Sequence, residues 1–427
     1  MQSLAKLISS CSAFFDEPKY IEIRSAITSK RPYFGIAFAL VSAAMRTRLG
    51  NFALIFAALA GYRAFRLPTA GTLFQYGSSD NNQRAFRRIN ALCGRPDWND
   101  RIDGRAVGAS HRLSILRRVS RLWTAAGVLK QHRASDPFPH LQLAIAVAAW
   151  LIYEAEDWEG VRLVCVASDH SPICMALLHV ARERGIRTCY LQHAPVSDYF
   201  PPLDYDLSVL FDRESEALYE HSASRRGVAS RGQVAILPPF ETECVPVSLP
   251  SGKFKVGICL SYLPDLAALD DLIDALRRHP AVAEVRLRRH PRCRLDITSL
   301  TTSSEVSEPE RGSVSDFLAS CDLILAPNSG VAIEALHLGK PCLYTPGMDY
   351  MAYDYYGFVQ SGVTPVFQTS MLDRPGELMA FFGPAWRDRF SAYDQTLMTP
   401  LAVSRREAAE AFLGLLTNES RASGQPD

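Results

Sequence analysis

The spacing of apolar and polar positions changes period several times along the chain, and each change marks an element. Short apolar runs, "VRLVCVAS" (161–168), "IRTCYLQ" (186–192), "DLSVLF" (206–211), "KVGICLSY" (255–262) and "CDLILAP" (321–327), end at breakers or polar clusters. Runs of this kind suit strands buried on both faces, as in a parallel sheet covered by helices. Between them, "ICMALLHVARERG" (173–185) and "DLAALDDLIDALRRH" (265–279) carry apolar residues at helical spacing, and the first closes on a glycine stop. Strands alternating with helices predict an α/β protein with doubly wound sheets.

Two such sets are separated by "ILPPFETECVPVSLPSGK", where Pro238, Pro239, Pro246 and Pro250 exclude a helix interior. The pattern therefore predicts a helical N-terminal segment at 1–70 and a first Rossmann-like domain at 71–240. A linker at 241–252, a second Rossmann-like domain at 253–370, C-terminal helices at 371–417 and a disordered polar tail at 418–427 follow.

Near the N-terminus, "YFGIAFALVSAAM" and "NFALIFAALAGY" are apolar but are split by Arg46, Arg48 and Gly50. Neither approaches the roughly 20 residues that span a bilayer, so both are expected as packed helices. A second reading lets them dip into a membrane interface, because residues 84–133 hold eleven Arg and one Lys against Asp97, Asp100 and Asp103. That local excess is hidden in a formal net charge of +1. Few aromatics accompany those arginines, which argues against a nucleic-acid platform and leaves an anionic, lipid-linked acceptor as the better partner. The first residues make no convincing export signal, and the ten cysteines form no CxxC pair, so a reducing, cytoplasmic setting is expected, at the inner face of the cytoplasmic membrane.

In open α/β sheets ligands gather beyond the carboxyl ends of the strands. Asp169-His170 follows "VCVAS", Gln192-His193 follows "TCYL", Arg288, His290 and Pro291 close "VRLRRHP", and Asn328-Ser329-Gly330 follows "LILAP". Histidine suits removal of a hydroxyl proton near neutral pH. His170 and His193 compete for that task, with Asp169 able to orient an imidazole or act itself. Asn328 and Ser329 are expected to cap the next helix, and Gly330 to let a phosphate approach its N–H groups. Glu334 lies on the helix face above that gap, within reach of ribose hydroxyls. An ordinary capped turn with a solvated Glu fits the same spacing. The acidic pair Asp204 and Asp206 precedes its strand and stands at the wrong edge for this cleft, so no metal is expected.

The stretches "YLQHAP", "RRHPR" and "CDLILAPNSGVAIEALHLGKP" resemble bacterial GT-B glycosyltransferases of capsule and surface-polysaccharide synthesis, in particular the polysialyltransferase and capsule-transferase group. The resemblance covers roughly residues 165–365. It implies two Rossmann-like domains facing a cleft, a nucleotide-sugar donor (CMP- or UDP-sugar) as co-substrate without further cofactor, and a glycan or lipid-linked glycan acceptor. It further implies that Glu334 holds ribose and that His290-Pro291 contacts a cytidine nucleotide. The chain departs from the group in reading Gln-His-Ala at 192–194, in lacking an acidic Asp/Glu-Asp/Glu-Gly base motif, and in carrying Asn328-Ser329-Gly330 where a serine pair is usual. CDP-glycerol-type polyol-phosphate transferases share the plan and remain an alternative, as does a nucleotide-sugar-binding protein without turnover.

Overall fold

The computed structural model describes residues 1–29, 33–68, 71–132, 134–290, 293, 306–307, 312–349 and 353–417. The predicted tail at 418–427 and Pro291 lie outside them. The apolar runs form two five-stranded parallel sheets. In the first, Leu73–Tyr76, Leu163–Val166, Arg187–Leu191, Asp204–Leu210 and Arg231–Ile236 pair in that spatial order. All four residues of Leu163–Val166 are buried, as an unbroken apolar run requires.

The second sheet runs Val306–Ser307, Val282–Arg288, Phe254–Cys259, Leu323–Ala326, Cys342–Tyr344 in space. Its first strand in sequence lies in the middle. The winding therefore reverses between Phe254–Cys259 and Leu323–Ala326, the topological switch point at which open α/β sheets form a crevice beyond the carboxyl ends of the strands. Leu260, Ser261 and Tyr262 border it on one side and Asn328, Ser329 and Gly330 on the other.

The N-terminal helices are part of the first domain and not an appendage. Leu4, Leu7, Phe14, Phe15 and Ile55 share one buried core with Tyr190 and Leu210 of the first sheet. Helix Pro137–Ala155 is long and apolar enough to cross a membrane, yet Leu143 to Ala149 and Ile152 to Tyr153 are packed in that same core. The opposite face of the sheet is closed by Asp80–Leu92 and by the last helix, Leu401–Thr417, which returns from the second domain. Phe412 is fully buried there against Trp98, ring centroids 6.2 Å apart. Phe412→Leu removes part of that contact and is expected to cost roughly 1 kcal/mol. A thermal melt should show the midpoint lowered by about 2–4 °C.

Candidate functional site

At the edge of the first sheet, strand Leu163–Val166 delivers Asp169 into a nearly closed position, 3% exposed. Its Oδ1 lies 2.6 Å from His170 Nδ1, and its Oδ2 accepts from the Tyr219 hydroxyl at 2.6 Å. Burial alone would push this carboxyl up. The fields of His170 and His193 and the bonds from His170 and Tyr219 outweigh that effect and hold it below the ordinary carboxylate range. Asp169 therefore stays ionised and fixes the His170 ring through Nδ1. The imidazole sits between Phe14 and Phe200, with ring centroids at 5.7 and 4.7 Å, and keeps 22% of its side chain exposed. Nε2 is the ring nitrogen that Asp169 does not engage.

His193 is half-buried on the neighbouring strand end. Its loop is clamped by Gln192, whose Nε2 donates to Ala194 O (3.0 Å) and Ser215 Oγ (2.9 Å) while Oε1 accepts from Phe211 N (2.7 Å). This is the physical use of glutamine before the histidine. Asp212, just beyond the adjacent strand Asp204–Leu210, caps helix Arg213–Arg225, accepting from Ser215 N at 2.7 Å. Burial pushes its carboxyl up to about 7. The native chain then holds a proton that the unfolded chain releases, so this group's contribution to stability declines as pH rises from about 4 to about 7. Asp212→Asn keeps an acceptor and removes the charge. Its melting midpoint is expected to rise by about 2–4 °C at about pH 8 and to change little at about pH 4, in melts run at both.

Across the domain boundary, the turn Asn328-Ser329-Gly330 follows Leu323–Ala326 and leads into helix Val331–His337. This turn adds one contact that the sequence does not show and departs from one expectation. Gly330 has ordinary right-handed backbone angles (φ −60°, ψ −16°), and a Cβ placed on it would lie 3.0 and 3.1 Å from Cγ and Cδ of Pro195. A side chain at this position would crowd the other domain's Gln192–Pro195 loop. Asn328 does not cap the helix: its Oδ1 accepts from Tyr355 N (2.6 Å) and its Nδ2 donates to Tyr353 O (2.9 Å). Ser329 does act locally, accepting from Val331 N through Oγ (3.3 Å) and from Ala332 N through its carbonyl (3.1 Å), while Ile333 N bonds Gly330 O (3.1 Å). The first helical N–H groups are thus partnered within the turn, a narrower anion cradle than the sequence pattern implies.

Glu334 stands one turn into that helix. Burial raises its carboxyl above the usual range, while the fields of Arg84, Arg288 and His337 pull the other way. Arg84 comes from helix Asp80–Leu92 of the first domain, so positive charge from both domains acts on this carboxylate. Arg288 also donates to Gly312 O at 3.0 Å and lies 5.8 Å over the Phe317 ring. The His290 and Tyr262 rings meet in a T-shaped arrangement, centroids 6.1 Å apart.

The two edges are tied together by Tyr355. Its carbonyl accepts from Ser197 Oγ at 3.1 Å and its hydroxyl bonds that of Tyr199. Arg84, Tyr219, Tyr262 and Tyr355 were not among the residues singled out from the sequence. Only Tyr262 carries a local signal, since it lies just beyond the carboxyl end of Phe254–Cys259.

One buried cluster lies apart from this edge. Side-chain ligand atoms of Cys244, His337 and Asp394 fall within 4.8 Å of one another. His337 bonds Asp394 Oδ2 through Nδ1 (2.7 Å) and Thr242 Oγ1 through Nε2 (3.1 Å), with its ring stacked 3.7 Å from Phe240. Burial, then the Asp394 charge, pushes the Cys244 thiol up to about 12, so it remains protonated. With both ring nitrogens engaged, the cluster is a latch. It fastens both chain crossings between the domains to the helix that carries Glu334. An open polar hollow of about 360 Å³ near Arg213, Gln395 and Glu407 gathers no imidazole.

No family model and no curated protein matches the chain. Among solved structures, that of CalG4, the calicheamicin glycosyltransferase, aligns with 82% of this chain and 99% of its own, at 13% identity and a TM-score of 0.50. The glycosyltransferase SnogD from Streptomyces nogalater (15% identity, 81% and 100% covered, TM-score 0.44) and apo OtsA (11%, 82% and 99%, 0.42) align over similar spans. The likeness to CalG4 is one of fold, and with the two sheets described above it shows the GT-B-like architecture of two Rossmann-like domains.

Proposed function

We propose that this protein is a glycosyltransferase that moves a sugar from a nucleotide-sugar donor, a CMP- or UDP-sugar, to a growing surface or capsular glycan without a metal ion. The observation that supports the reading is the contact of Gly330 with Pro195, which brings the turn at one domain's switch point against the Gln192–Pro195 loop at the other domain's sheet edge, next to the strand that leads to Asp169–His170. CalG4, which shares the fold, is itself a glycosyltransferase.

In this reading Glu334 accepts from the donor's ribose hydroxyls, and Arg84 and Arg288 offset the charge of its phosphates. The acceptor hydroxyl gives its proton to His170 Nε2 as its oxygen bonds the anomeric carbon. The bond from that carbon to the phosphate oxygen breaks, and its electron pair leaves with the nucleotide. Ionised Asp169 stabilises the imidazolium that forms. His193, on the clamped loop beside Pro195, orients the acceptor. Positive groups from both domains do the work a metal would otherwise do at the departing phosphate.

The test is a thermal-shift screen with CMP, CDP, UDP and GDP, followed by chelator-treated assays of nucleotide release from CMP-sugars, UDP-sugars and CDP-glycerol. A ligand at 100 times its dissociation constant adds about 2.7 kcal/mol, a shift easily read. Stabilisation by CMP or UDP with nucleotide release from the matching sugar supports the proposal. Stabilisation without release identifies a binder, release from CDP-glycerol alone a polyol-phosphate transferase, and no response to any nucleotide rejects all three.

A further inference from the structure

We propose that the outer face of helices Tyr33–Ala44, Arg48–Gly61 and Val119–Gln131 is a docking surface for an anionic phospholipid bilayer. The usual surface helix turns charge to the solvent, and this chain follows that rule elsewhere: in Leu266–Arg278 the exposed positions include Asp270, Asp271, Asp274 and Arg277. The N-terminal pair does the reverse. In Arg48–Gly61 the outward positions Leu49, Ala53, Phe56, Ala57 and Ala60 form an apolar stripe at helical spacing. In Tyr33–Ala44 no residue is charged, and Ile36 and Leu40 are 72% and 67% exposed.

These side chains lie on neighbouring elements of one surface. The Phe52 ring stands 6.1 Å from that of Trp123, which is itself 40% exposed, and the Arg48 guanidinium lies 4.7 Å over the same indole. Val119 is exposed on the same helix as Trp123. An exposed Trp amid aliphatic side chains with arginines at the margin is the composition of a segment that rests in the headgroup region.

Charge decides what covers this face. No Asp or Glu occurs between Glu22 and Asp80 or between Asp103 and Asp136, and each interval holds seven Lys and Arg. Arg121 and Arg105 are paired with Glu154 and Glu156, whereas Arg46, Arg63, Arg117 and Arg118 are exposed around the apolar stripe. A second copy of the chain would bring like charges together. Anionic headgroups neutralise them, and each basic residue near such a surface strengthens binding about fivefold. The inference stands independently of the donor and of turnover.

Co-sedimentation of the full chain with phosphatidylcholine vesicles, with and without phosphatidylglycerol, tests it. The expected result is binding to the mixed vesicles only, weakened at least tenfold by Leu40→Glu with Phe56→Glu, and separately by Arg117→Glu with Arg118→Glu, at unchanged melting temperature. Raising the salt should release the unaltered protein too, a readout that needs no variant. Failure to bind either vesicle overturns the proposal. So does binding indifferent to both double substitutions, or a solution dimer that Leu40→Glu with Phe56→Glu dissociates.

Discussion

His170→Ala is expected to lower turnover by roughly 10²–10⁴-fold while leaving nucleotide affinity close to that of the unaltered protein; the melting temperature should fall, because the buried Asp169 carboxylate loses its imidazole partner. The expectation follows from the way the ring is held. Nδ1 is engaged by a carboxylate with 3% exposure at 2.6 Å, and Tyr219 occupies that carboxylate's second oxygen. The imidazole therefore has one fixed orientation and one nitrogen that Asp169 does not engage. Asp169→Asn keeps the shape but removes the charge that stabilises the protonated ring, and should lose turnover on the same scale. It should also change the acid limb of stability: the depressed Asp169 carboxyl stabilises the fold above its unfolded pKa, and that contribution is lost as pH falls through the folded value. His193→Ala separates the two candidate bases. Loss of turnover at least as large as with His170→Ala, measured by nucleotide release, would transfer the role to His193.

Glu334→Ala should weaken nucleotide binding roughly 10- to 100-fold, the range for a lost hydrogen bond to a charged acceptor. Burial has already raised this carboxyl, so its ionised form is lost at a higher pH than for an exposed Glu. Affinity of the unaltered protein should accordingly fall as the solution is acidified, beginning above the usual Glu range, and the variant should lack this limb. Removing a buried carboxylate that costs desolvation energy should raise the variant's own stability above that pH. Isothermal titration with the preferred nucleotide across pH, with thermal melts alongside, checks both parts. An affinity unchanged by the substitution would remove Glu334 from the donor site.

What the sequence disclosed and what it hid divide along the range of the interactions. Asp169 and His170 are adjacent in the chain, so their pairing was foreseeable from the strand that precedes them. The Asn328-Ser329-Gly330 junction was placed correctly after its strand, yet the close approach of Pro195, 135 residues earlier, to Gly330 was hidden. No local pattern records such a contact. Tyr219 presents a hydroxyl from a helix face whose partner is likewise distant, and Tyr355 works through segments brought together only by domain packing. The return of Leu401–Thr417 to the first sheet was hidden for the same reason: the buried Phe412 and Ala408 of that helix are ordinary in composition, and only the fold shows which sheet they cover.

The central claim is that one crevice, bounded by the Gly330 turn and Glu334 on one side and Asp169–His170 on the other, holds the nucleotide of a sugar donor. A crystal structure grown with a saturating concentration of the nucleotide that gives the largest thermal shift examines it directly. Ribose within hydrogen-bonding distance of Glu334 and phosphate oxygens between Arg84, Arg288 and the Gly330 turn are the expected result. Nucleotide bound away from that crevice, with the crevice itself open and unoccupied, would contradict the account.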